Sequence, residues 1–433
     1  MMTGMTGMNM KAYNLLTHAE REQEYAALHE RWVKFRDSGL KLNMARGKPG
    51  KEQLDVVSGI FFRMLEHDEY LSDGEDVRNY GELAGLPSAR RLFADILDCK
   101  PEQVFVGGNA SLQLMYDTIS KGYTHGLLHS SGPWFKEGML RWLCPVPGYD
   151  RHFRITEDFG FEMITVPMTR NGPDMDFVES AVKDPSVKGM WCVPKYSNPQ
   201  GVIYSEETIH RLASMRTAAP DFLLMWDNAY VVHEFEGDYV PFPDMISICA
   251  EHGHPERVIE FASTSKITLP GAGVSCFACS VNNMTYLKRL LSVQAISFDK
   301  VNQQRHVLYL RSKEHTLDLM KEHAAILRPK FRCVEETLER ELGRLDIASW
   351  NHPKGGYFIS LDAMPGTARR ALHLCHQAGV TMTAAGATYP YGLDPLDSNI
   401  RIAPSYPPIG ELRKAAEILC VCLKMAALEK LDM

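Results

Sequence analysis

The chain has 433 residues, with 47 Lys and Arg against 54 Asp and Glu for a formal charge of −7, and is 45% apolar, 23% charged and 9% aromatic. That profile excludes a disordered or fibrous polymer, and the length suits a large core domain with a smaller second one. No block of Lys and Arg makes a nucleic-acid or membrane-surface footprint, and no stretch reaches the ~18 apolar residues of a membrane span. The expected ligands are therefore small molecules, with no nucleic acid and no membrane.

The first ten residues lack the charged start and apolar run of a secretory signal, which predicts a cytoplasmic protein. Residues 11–38, rich in Glu, Ala, Leu, Lys and Arg, predict a helix ending near Gly39. Leu-Asn-Met-Ala-Arg-Gly-Lys-Pro-Gly then reads as a loop. Between about 103 and 280 seven short apolar runs alternate with helical or polar stretches: Gln-Val-Phe-Val, Arg-Trp-Leu-Cys, Met-Ile-Thr-Val, Gly-Met-Trp-Cys-Val, Phe-Leu-Leu-Met-Trp, Val-Ile-Glu-Phe-Ala and Ser-Cys-Phe-Ala-Cys. Such alternation predicts a mostly parallel sheet covered by helices. Residues 296–345 read as helical. A second α/β unit follows, with a strand in Gly-Gly-Tyr-Phe-Ile-Ser-Leu, a helix through Ala-Arg-Arg-Ala-Leu-His-Leu-Cys, a loop near 384–392 and a closing helix.

Most of the ten cysteines, Cys144 and Cys192 among them, sit inside apolar runs as buried thiols do. Cys276 and Cys279 spell C-x-x-C but have neither a second pair nor a histidine pair, and their surroundings alternate like a strand. No metal is expected.

Ligands of a parallel sheet collect beyond the carboxyl ends of its strands, which directs attention to the residues after each run. Ser263-Thr264-Ser265-Lys266 puts a lysine just past a buried strand, where partial desolvation would free its amine to attack a carbonyl; alone it is also an ordinary surface lysine. Asp227 ends another run, placed either to hold a protonated aromatic nitrogen or to cap a helix. Asn198, in the turn Ser-Asn-Pro-Gln-Gly, offers an amide to a phenolate oxygen, or serves the turn itself. Gly107, Gly108, Asn109, Ala110 and Ser111 open a helix whose N–H groups can hold a phosphate. Arg401, in an apolar run, fits bidentate binding of a carboxylate, or an internal salt bridge.

Taken in order, Ala-Arg-Gly-Lys-Pro, Asn-Tyr-Gly-x-x-x-Gly, Gly-Asn-Ala-Ser and Ser-Thr-Ser-Lys resemble the fold-type I pyridoxal 5'-phosphate (PLP) aminotransferases of class I/II, nearest the divergent bacterial aspartate aminotransferase subgroup. The match runs from about Asn43 to Pro407. The resemblance implies an α/β fold, with a large domain of residues 58–320 around a mostly parallel seven-stranded sheet. A smaller α/β domain of residues 1–57 and 321–433 would include the N-terminal helix and arm.

By the same resemblance Lys266 is the Schiff-base lysine and proton shuttle, and Asp227 the partner of the pyridinium. Asn198 and Tyr230 donate to the phenolate oxygen, and Tyr149 stacks on the ring. Gly108, Asn109, Ser111 and Ser263 form the phosphate cup. Tyr80 reaches the phosphate of a neighbouring subunit, implying a homodimer with shared active sites. Arg401 grips the substrate α-carboxylate, with Gly47 in the loop closing over it. The expected reaction is ping-pong transamination between L-aspartate and 2-oxoglutarate.

Dicarboxylates need a second cation, for which Arg46, Lys48 and Lys195 are candidates. The family's phosphate-binding arginine is replaced here by Val274. Alternatives on the same fold are an aminotransferase for another amino acid, a PLP lyase or decarboxylase, and a PLP-sensing regulator. For the last, the ~40 residues before Asn43 are too few and too acidic to form a DNA-binding module.

Overall fold

The computed structural model describes residues 11–63 and 69–431. The first ten residues, read above for a leader, lie outside that range. All seven apolar runs become strands of one sheet: β1 Val104–Val106, β2 Arg141–Val146, β3 Glu162–Thr169, β5 Val187–Cys192, β6 Leu223–Asp227, β7 Val258–Ser263 and β8 Ser275–Cys279. A two-residue eighth strand, β4 Gly172–Pro173, folds back on β3. The order across the sheet is β1-β8-β7-β6-β5-β2-β3-β4. From β7 through β3 the neighbours run parallel, while β8 is antiparallel to both β7 and β1.

Both faces of this sheet are buried, which explains why its strands read as unbroken apolar runs rather than alternating ones. Successive residues go to opposite cores: Val104 and Val106 to one and Phe105 to the other, Leu224 and Trp226 against Leu223 and Met225. Cys276 and Cys279 likewise point to opposite faces, so they cannot share a ligand. Gly189 in β5 is required by close approach, since a Cβ there would strike the Trp142 indole and the Leu223 carbonyl.

The same alternation sends Glu260 of β7 into an apolar core, where it is 3% exposed and accepts from Asn228 Nδ2 at 2.8 Å. Burial raises its pKa from the ordinary 4.5 to about 8. Between those values the unfolded chain binds fewer protons than the fold, so stability falls as pH rises through them. Glu260→Gln keeps an acceptor for Asn228 and removes that fall. The expected gain is small at pH 4 and approaches ~5 kcal/mol at pH 8, read by urea denaturation at both pH values.

The second core lies around the antiparallel strands Ala348–Trp350, Ile359–Ala363 and Asn399–Ile402. Helices His18–Asp37, Lys313–Leu342, Ala368–Gln377 and Ile409–Leu431 cover it. The first of these starts later than expected because Thr17 and Glu20 form a capping box, Thr17 N donating to Glu20 Oε2 at 2.7 Å. Ahead of it Tyr13–Leu15 is a 3-10 turn anchored by Tyr13 N on the Leu345 carbonyl. The loop expected at 42–50 begins as a strand, Leu42–Asn43, paired in parallel with Val380–Thr381. That correction matters because the pairing sets where Gly47 lies. Among the described residues no helix is long and apolar enough to cross a membrane.

Candidate active site

Beyond the carboxyl ends of β5, β6 and β7 lies a cavity of about 260 Å³. It gathers nine of the residues singled out from sequence: Gly47, Ala110, Ser111, Tyr149, Asn198, Asp227, Tyr230, Ser263 and Lys266. Arg401 joins them at the edge, Nη1 donating to Asn198 Oδ1 at 3.3 Å and its guanidinium standing 4.9 Å from the Phe358 ring centroid. Gly108 and Asn109 sit just before the helix Ser111–His125 and outside the lining, with Asn109 exposed. Arg46 is exposed on the loop beside Gly47, and Tyr80 is 77% exposed, apart from this chain's cavity.

Lys266 follows β7 directly, and its Nζ lies 4.9 Å from the centroid of the Tyr230 ring and 5.8 Å from that of Tyr357. Burial lowers its pKa below the usual 10.5, opposed by the charge of Asp227. Behind it His233 is buried, and burial together with the Lys266 charge holds it well below the ordinary histidine range, hence neutral. Gln53 Nε2 braces this side, donating to the Tyr357 hydroxyl at 2.9 Å and lying 3.1 Å from His323 Nδ1.

Asp227 is 4% exposed at the end of β6. Its Oδ2 lies 3.0 Å from His152 Nε2, which donates to the carboxylate, while Oδ1 is buried without a partner among the described residues. The His152 ring stacks on Trp191 at 4.5 Å, which fixes its plane. Burial pushes the Tyr230 hydroxyl well above 10 and that of Tyr149 to about 12, so both stay protonated donors at neutral pH.

Sequence reading did not single out His152, Ser265, Asp150 or Phe358. The signal for His152 was only a lone histidine one turn past Tyr149. Ser265 lines the cavity, and its Oγ accepts from Ser263 Oγ at 3.0 Å. Asp150 Oδ1 accepts from Arg401 Nη1 at 2.9 Å, so Arg401 has the internal salt bridge weighed above and still keeps a buried Nε with no acceptor among the described residues. Val274 is buried, its N–H on Thr264 Oγ1 at 2.9 Å, and brings no cation. Lys195 is excluded as a substrate cation: it is fully buried, ion-paired to Glu234 and donating to the Val231 and Val240 carbonyls.

These groups fit PLP. The partnerless Asp227 Oδ1 suits a protonated ring nitrogen. The first-turn N–H groups at Ser111, which lack intrahelical acceptors, and the hydroxyls of Ser263 and Ser265 suit a phosphate.

A buried lysine beyond one strand and a buried carboxylate ending its neighbour, on this sheet order, define a fold-type I PLP-dependent transferase. The chain belongs to the aspartate aminotransferase family, whose model, described as aspartate amino-transferase, matches residues 16–433. A Corynebacterium glutamicum protein named aspartate aminotransferase is 46% identical over 402 residues, 93% of each chain. The crystal structure of an aspartate transaminase from that species superposes with a TM-score of 0.95 at 44% identity, covering 97% of this chain and 99% of the other. The α-aminoadipate aminotransferase of Thermus thermophilus, solved with N-(5'-phosphopyridoxyl)-L-leucine, shares the fold at TM-score 0.73 and 19% identity, covering 95% and 99%.

Proposed function

We propose that this protein transfers the amino group of L-aspartate to 2-oxoglutarate, giving oxaloacetate and L-glutamate, with PLP held at Lys266. The observation that carries the reading is the buried, partnerless Asp227 Oδ1 in the same cavity as a lysine whose amine burial holds toward its neutral form. The 46% identity to a protein named aspartate aminotransferase supports the choice of donor.

When bound, the cofactor supplies a carbonyl carbon that condenses with amines and a ring that takes up the electron pair left at the substrate Cα. Asp227 would keep a proton on the ring nitrogen, and His152 keeps Asp227 in place. Tyr230 and Asn198 would donate to the ring oxygen, and Tyr149 would pack against the ring. Ser263 and Ser265, with the backbone at Gly108, Asn109 and Ser111, would hold the phosphate in place of the arginine that Val274 does not provide. Arg401 holds the substrate α-carboxylate, while Gly47 lies so close to Phe358 that any Cβ would strike that ring. Lys266, whose amine burial biases toward the neutral form, would take the Cα proton at Nζ. Departure of one oxo acid before the next enters makes the kinetics ping-pong. The exposure of Tyr80 supports a homodimer with shared active sites. A cytoplasmic location is supported by ten free cysteines.

For the distal carboxylate the candidates are Arg46 and Lys48, which are exposed on the loop around Gly47, with Lys48 Nζ 3.9 Å from the Tyr406 ring centroid. Joint replacement of Arg46 and Lys48 by alanine is expected to raise the KM for aspartate about tenfold, the worth of one partly exposed charge pair. The KM for a donor with an apolar side chain should not move. Equal effects on both donors would remove these residues from that role.

The central test is the absorbance spectrum of the PLP-loaded protein before and after L-aspartate. Loss of the carbonyl-form band in favour of the shorter-wavelength amine-form band, reversed by 2-oxoglutarate, is the expected result. A band indifferent to aspartate would keep the cofactor and reject the substrate.

A further inference from the structure

We propose that a second cavity, at the amino-terminal edge of the large sheet and remote from Lys266, binds a small oxyanion through Arg257 and Arg216. The anionic group is a carboxylate or phosphate carried on a short apolar body. This cavity has a volume of about 420 Å³, within the range of small-molecule sites. Its floor is Leu223, which opens β6, and Ile259 near the start of β7.

Arg257 is 6% exposed. Its Nη1 donates to the carbonyls of Leu212 at 3.4 Å and Ala213 at 2.7 Å, the last turn of the helix Glu206–Ser214. A helix carboxyl end presents only about half a negative charge. Among the described residues no carboxylate pairs with Arg257, and Nε and Nη2, the edge that takes a carboxylate side-on, donate to no protein group. Burial lowers its pKa only to about 10, so it remains charged at neutral pH. A buried arginine without an anion is uncommon in proteins.

Arg216 lines the same cavity, exposed and with no hydrogen bond or ion pair among the described residues. The two acids on the wall are already committed. Asp221 accepts from Lys188 at 3.0 Å and Trp134 at 2.7 Å, and Glu256 accepts from Asn282 at 2.8 Å with His129 at 3.8 Å. Leu127, Phe222 and Leu287 supply apolar wall for the ligand body.

The test is titration calorimetry of the PLP-loaded enzyme with inorganic phosphate and, separately, with benzoate. Saturable binding of at least one probe is expected, and it should persist in Arg401→Leu, which disables the carboxylate grip of the active site. Arg257→Lys keeps the charge and the helix contact but loses the planar fork, and should weaken binding about tenfold. Arg216→Ala should also weaken it, by about threefold, while leaving transamination unchanged. Tighter phosphate assigns a phosphoryl ligand, and tighter benzoate an organic carboxylate. Absence of saturable binding, its loss in Arg401→Leu, or affinity unmoved by Arg216→Ala would each overturn the site, and Arg216→Ala decides the matter even if Arg257→Lys fails to fold. None of these outcomes bears on the aminotransferase reading.

Discussion

Lys266→Ala is expected to lower kcat by about four orders of magnitude, the upper range for loss of a positioned proton-transfer group. The loss should fall on kcat with both substrates, because the same amine serves both halves of a ping-pong cycle. Added methylamine should restore part of the rate by supplying a free base, whereas a merely unfolded variant would not respond. Stability carries an independent signature. The Lys266 pKa is below 10.5 in the fold, so between its folded value and 10.5 the unfolded chain binds more protons. Cofactor-free protein should therefore become more stable as pH rises through that window, and Lys266→Ala should lack that increment. Denaturant midpoints of the two proteins at several alkaline pH values measure it. Parallel curves would show that Lys266 is not held as a neutral amine.

Asp227→Asn should be the next most damaging change, lowering kcat by about 10²–10⁴-fold. It removes one partner of a buried charge pair, worth about 3–5 kcal/mol. The amide is nearly isosteric and its oxygen can still accept from His152, so the change acts on charge rather than packing. Its effect on stability should have opposite signs with and without cofactor. In cofactor-free protein the buried Oδ1 has no donor among the described residues, and a neutral amide is cheaper to bury than a carboxylate, so the urea midpoint should rise. With PLP bound, the variant should lose part of the stabilisation that the ligand confers on the parent protein. A variant destabilised alike in both states would mean that Asp227 is a structural residue and not the partner of a ring nitrogen.

Much of the site was legible because the large sheet is covered on both sides. Its strands are continuous apolar runs, and polar residues at their carboxyl ends stand out: Asp227 after Leu-Leu-Met-Trp, Lys266 after Val-Ile-Glu-Phe-Ala-Ser. Elements bounded by side-chain chemistry read less well. The first helix was expected from residue 11 because composition stays favourable there, whereas the capping box at Thr17 and Glu20 starts it at His18. Two-residue strands such as Leu42–Asn43 and Gly172–Pro173 carry no periodicity and exist only because a partner strand lies alongside.

By itself the sequence determined the layered α/β class, the seven main strands, and the lysine, carboxylate, amide and arginine at the site. These follow from burial and period along the chain, which each segment carries locally. The tertiary structure alone decided the pairings. It set His152 on Asp227 and Asp150 on Arg401, sealed Lys195 against Glu234, pressed Gly47 to Phe358, and put Arg257 on a cavity wall with no paired carboxylate among the described residues. Such pairs join residues far apart in sequence, and only strand register and the packing of helices onto the sheet bring them together. No local pattern encodes which of two buried charges will find a partner.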